Sequence, residues 1–121
     1  MVNKKILMID DDEDHLSLCK LILEKEGFEV VVLSDDHELT DVAVLFRPDL
    51  IFVDHYMGKL LGTEIVKKLK SDLLLKNIPV IYFSSCADIL TKAKEAGADF
   101  FLEKPFKINS LIAVAKRIIS R

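Results

Sequence analysis

Short, nearly unbroken apolar runs alternate with stretches in which apolar side chains recur every three or four residues. Lys5-Ile-Leu-Met-Ile9, Leu50-Ile-Phe-Val53 and Pro79-Val-Ile-Tyr-Phe83 are such runs, the pattern of strands covered on both faces. Glu29–Leu33 and Phe100–Leu102 bring the strands to five. Helical spacing predicts helices over Asp14–Glu26, Gly62–Lys70, Ala87–Ala96 and Lys107–Ser120. A further helix starts near Asp35-Asp36-His37-Glu38, which reads as a capping box, and ends before Pro48. Gly27 and Gly97 read as C-terminal stops. The second helix points Leu39, Val42, Ala43 and Phe46 to one side, the third Ile65, Val66 and Leu69, the fifth Ile108, Leu111, Ile112, Ala115 and Ile119. Strand and helix in alternation imply an α/β fold: a doubly wound, five-stranded parallel sheet, most simply in the order 2-1-3-4-5, with five helices. In that order the ligand crevice opens at the carboxyl ends of strands one and three.

Composition narrows the function. The chain of 121 residues reads as one domain over 1–121. A net charge of −3 without a basic stretch gives no electrostatic footprint for nucleic acid. Cys19 and Cys86 match no metal-ligand spacing and read as two free thiols. The apolar segment after Lys4-Lys5 is too short for a signal peptide or a membrane span, so the expected location is the cytoplasm.

The chemistry gathers at the strand ends. Asp10 and Asp11 follow strand one, Asp54 follows strand three, Ser84 follows strand four, and Lys104-Pro105 closes strand five. Parallel strands bring these positions to one edge. Asp12 or Asp14 fits the cap of the first helix, whereas Asp10 and Asp11 lie earlier and cannot both be caps. Two carboxylates ~4 Å apart repel by about 4 kcal/mol at an effective dielectric of ~20. A cluster of three therefore calls for a cation or for solvent. Hard oxygen ligands open to water suit Mg²⁺, with Mn²⁺ as the alternative. Asp54, the most enclosed if strand three is central, is the candidate nucleophile toward phosphorus. Lys104 offers a point charge to a phosphoryl oxygen and Ser84 a hydroxyl.

At this point the chain resembles the response-regulator receiver domains of two-component signalling, the CheY-like family. The resemblance rests on Ile6-Leu-Met-Ile-Asp-Asp-Asp12, on Leu50-Ile-Phe-Val-Asp-His-Tyr-Met57 with Gly62 eight residues past the aspartate, on Pro79-Val-Ile-Tyr-Phe-Ser-Ser85, and on Gly97-Ala-Asp-Phe-Phe-Leu-Glu-Lys-Pro-Phe106. It implies a flavodoxin-like fold and a signalling module rather than an enzyme. It implies that Asp54 accepts phosphate from a histidine kinase or a phosphotransfer protein. It further implies Mg²⁺ held by Asp11, Asp54 and the backbone carbonyl of Tyr56, with Asp10 acting mainly through water. Ser84 takes the switch hydroxyl role, Lys104 the phosphoryl contact, and Lys104-Pro105 a cis peptide. Phe101 falls at the switch aromatic, where the family often has tyrosine. The face of the fourth helix, fifth strand and fifth helix would then control a downstream protein or an output domain, without itself binding nucleic acid or membrane.

Several features depart from the family pattern. Gly58 stands where proline commonly follows the methionine, and the loop to Gly62 carries Leu60 and Leu61, read as packing under the third helix. His55 is expected on the surface. Tyr56 and Cys86 fall at the places that in the family tune the access of water. Three other readings compete. The Asp10-x-Asp12 spacing also occurs in haloacid-dehalogenase-type phosphatases. A flavodoxin-like ligand module would use the same topology, although five acids after strand one repel a phosphate. A degenerate interaction module would never be phosphorylated.

Overall fold

The computed structural model describes residues 4–35, 37–57, 60–84, 87–103 and 107–119. Five strands, β1 (Lys5–Ile9), β2 (Glu29–Leu33), β3 (Leu50–Asp54), β4 (Val80–Ser84) and β5 (Phe100–Glu103), alternate with α1 (Glu13–Lys25), α2 (Leu39–Phe46), α3 (Gly62–Ser71), α4 (Ala87–Ala96) and α5 (Ile108–Ile119). The strands form one parallel sheet in the order β2-β1-β3-β4-β5, as the sequence pattern implied.

Side-chain alternation divides the core into two layers. Leu7, Ile9, Ile51, Val53, Val80 and Tyr82 face one way, against Leu39 and Ala43 of α2, Ile65, Val66 and Leu69 of α3, and Ala93 and Ala96 of α4. Ile6, Met8, Leu50, Phe52, Ile81 and Phe83 face the other, against Leu16, Cys19 and Leu23 of α1 and Leu111, Ala115 and Ile118 of α5. The central strands are apolar on both faces because both faces are covered.

Local details differ from the expectations. The segment expected to form a capping box instead makes a turn in which the Asp35 carboxylate accepts the His37 N–H (2.9 Å), and α2 begins only at Leu39, with no side-chain cap from Glu38. Asp36 lies outside the described residues. On α5, Ile108 is half exposed and Ile118 is buried instead, because the face that meets the sheet centres on Leu111, Ala115 and Ile118, with Ile108 and Ile119 at its rim. A two-strand antiparallel ribbon, Tyr56–Met57 against Leu60–Leu61, interrupts the β3 to α3 connection, where the sequence pattern indicated only a loop. Its two-residue strands are too short for alternation to register.

Candidate functional site

The register brings the acids together. Ile9 of β1 pairs with Val53 of β3, so the next residues, Asp10 and Asp54, leave the sheet side by side. Carboxylate oxygens of Asp10, Asp11 and Asp54 all lie within 4.8 Å of one another. Asp10 and Asp54 are buried, 1% and 5% exposed, whereas Asp11 is exposed. At that spacing each pair of charges repels by about 3.5 kcal/mol at an effective dielectric of ~20. Three hard oxygen donors, one of them open to solvent, fit a small divalent cation that keeps part of its water shell.

Asp10 is held on several sides. Its backbone N–H donates to the Leu33 carbonyl (3.1 Å). Oδ1 accepts the Asp12 N–H (3.0 Å), and Oδ2 meets His15 Nδ1 at 2.7 Å. Each Asp10 oxygen is thus held by a partner within the protein, one by a backbone N–H and the other by an imidazole. Asp12 is the N-cap of α1 and accepts the His15 N–H (3.1 Å), so its carboxylate serves the helix. The second acid of the Asp-x-Asp spacing is thereby committed to capping.

His15 is a component that the sequence reading missed. It stands in the first turn of α1, with Nε2 3.5 Å from Cys19 Sγ and its ring edge to face with Phe83. The hydrogen bond to Asp10, then that to Cys19, push its pKa up from 6.5 to about 10 against the opposing effect of burial. The Asp10 carboxylate thus favours the protonated form of His15. Cys19 itself is buried, and Cys86 lies outside the described residues.

His55 corrects an expectation. It is 4% exposed rather than on the surface, because strand alternation continues past Asp54 and turns the next side chain to the opposite face of the sheet. There Nδ1 forms a hydrogen bond with the Tyr82 hydroxyl, and the two rings meet edge to face, 5.9 Å apart. Burial lowers the His55 pKa below 6.5; the Asp54 charge pulls it up and Lys92 down. Tyr82 is fully buried in an otherwise apolar strand, and His55 supplies the partner that its hydroxyl needs.

The remaining expected residues fall as follows. Ser84 ends β4 in register with Glu103 of β5, which places it at the same sheet edge. Phe101 pairs with Tyr82 in the ladder and packs, partly buried, against the same core layer. Tyr56 follows directly in the short ribbon. Lys104 and Pro105, with the peptide bond between them, lie outside the described residues. No helix among the described residues is long and apolar enough to cross a membrane.

Comparison with known proteins agrees with this arrangement. Residues 6–116 match the model of the response regulator receiver domain. The chain belongs to that family. This receiver domain is 34% identical over 122 residues to the alkaline phosphatase synthesis transcriptional regulatory protein PhoP of Bacillus subtilis, covering 99% of this chain and 50% of the relative. The chain thus spans about half the length of the curated relatives it matches. A two-component response regulator from Clostridium difficile shares 26% identity with a TM-score of 0.90, covering 98% of each chain. The Vibrio cholerae chemotaxis protein CheY4 shares 26% identity with a TM-score of 0.89, covering 97% of this chain and 99% of that one. The protein is accordingly a two-component receiver domain of CheY-like, flavodoxin-like fold, a signalling module whose acidic pocket of Asp10, Asp11 and Asp54 fits a phosphoacceptor site.

Proposed function

We propose that Asp54 is the phosphoacceptor and takes a phosphoryl group from the phosphohistidine of a histidine kinase or phosphotransfer protein. The observation that carries this is the placement of a nearly buried carboxylate at the end of the central strand, with two further carboxylates within 4.8 Å, in a chain of the receiver family. An Asp54 oxygen attacks phosphorus, the phosphorus–nitrogen bond breaks, and an acyl phosphate forms on the protein. Asp11, Asp54 and the backbone carbonyl of Tyr56 would hold Mg²⁺, or Mn²⁺ in its place, and Asp10 would act through water. Bound there, the ion would offset charge on the phosphoryl oxygens and on the carboxylates. Lys104 supplies a second positive charge to those oxygens, and the Ser84 hydroxyl a hydrogen bond.

Phosphorylation then biases the α4, β5 and α5 face through Ser84 and Phe101. The partner at that face is a downstream protein or an output domain, since curated relatives about twice as long include a transcriptional regulatory protein and a DNA-binding transcriptional regulator. The domain itself is read as cytoplasmic, with no nucleic acid or membrane contact of its own. Intact mass spectrometry after acetyl phosphate and Mg²⁺ tests the reading. The parent should gain one phosphate and Asp54→Ala none; equal labelling of both would move the acceptor elsewhere.

A further inference from the structure

The residue after the acceptor is tied down more firmly than the chemistry at Asp54 requires. The His55 N–H donates to the Phe83 carbonyl (3.1 Å), and its own carbonyl accepts the Gly62 N–H (2.7 Å). Its imidazole is bonded to the Tyr82 hydroxyl and lies edge-on to that ring. Tyr82 is itself immobile: it is fully buried, and its backbone pairs with Val53 on one side and Phe101 on the other. The anchor therefore belongs to a central strand and not to a loop.

The position of this anchor in the chain gives it a consequence. His55 sits between Asp54 and Tyr56, the side-chain and main-chain ligands proposed above. Asp54 leaves the sheet on the α1 and α5 face, while the His55 side chain is fixed among residues of the opposite face. Rotation of the His55 backbone would swing both ligands together, and the side-chain bond to Tyr82 opposes that rotation.

We propose that His55 and Tyr82 are positioning residues, a clamp on the far face of the sheet that holds the Asp54 carboxylate and the Tyr56 carbonyl in register for the cation. Outer-shell partners of this kind set metal affinity by roughly 10- to 100-fold. The inference rests on the reading of Asp54 and Tyr56 as cation ligands.

A pair that only satisfied its own buried polar atoms would act on stability alone, and the two roles separate experimentally. The full chain, Tyr82→Phe, His55→Leu and the double variant are compared without phosphodonor. Mg²⁺ affinity is read by titration calorimetry and the melting midpoint by circular dichroism. Tyr82→Phe keeps the shape of the ring and should weaken Mg²⁺ binding roughly tenfold. The double variant removes both partners of this hydrogen bond, so its melting midpoint should lie above that of either single variant while the affinity stays low. Unchanged affinity in Tyr82→Phe, or affinity that recovers in step with the midpoint, overturns the clamp. A parent that binds Mg²⁺ but takes no phosphate at Asp54 sinks the phosphoacceptor reading alone. A parent that binds no Mg²⁺ sinks both.

Discussion

Gly62 opens α3 where there is no space for a side chain. A Cβ at that position would stand 2.2 Å from the Asp54 backbone oxygen and 2.9 Å from Cε1 of Tyr82. In Gly62→Ala the helix start or the strand end must move by roughly 0.8 Å to restore 3.0 Å to the carbonyl. The obstacle is the backbone of a fully buried central strand, which cannot rotate away as a flexible side chain would. Overpacking of this kind costs about 1–3 kcal/mol, and two simultaneous clashes place Gly62→Ala near the upper end. For a domain of this size about 3 kcal/mol lowers the melting midpoint by roughly 10 °C. The same shift carries the Gly62 N–H that donates to the His55 carbonyl, so Mg²⁺ affinity should fall as well. Circular dichroism melts with chelator present, followed by Mg²⁺ titration, measure both. A melting midpoint within about 2 °C of the parent would refute the reasoning, because it would mean that α3 can settle elsewhere on β3 without strain.

The His15–Asp10 pair should make stability depend on pH. The His15 pKa is raised from 6.5 to about 10 on folding, so its contribution is complete below pH ~6.5 and is lost as pH rises toward about 10. In urea unfolding with chelator present, the parent should exceed His15→Gln by about 1.5–3 kcal/mol near pH 6, the range for a hydrogen bond to a charged group, and the two should converge near pH 10; a constant gap would remove the ion pair as the cause. Mg²⁺ at ten times its dissociation constant should stabilise the parent by about 1.4 kcal/mol. Chelator should reverse this, and Asp11→Asn, altering the exposed member of the proposed ligand set, should largely abolish it. A full Mg²⁺ shift in that variant would place the ion elsewhere.

Much of the molecule was legible in the chain. Strands covered on both faces announce themselves as unbroken apolar runs, and helices by a 3.6-residue period, so order and topology followed from periodicity and handedness. The approach of Asp10 to Asp54 followed too, since parallel strands in register deliver consecutive ends to one edge. Most boundaries shifted by a residue or two and the start of α2 by more, because end residues are decided by single hydrogen bonds rather than by a repeating pattern.

His15 and His55 were beyond reach of that reasoning. A histidine is as ordinary on a surface as in a core, and only the partner it meets distinguishes the two. Asp10 is five residues from His15, yet their contact depends on how α1 leaves the β1 end. Tyr82 is 27 residues from His55, and their bond requires β3 and β4 to be neighbours in one particular register. Periodicity reports which way a residue points relative to its own element. What it points at is set by the packing of elements against each other, and that was decided only when the sheet and its two helical layers closed around these side chains.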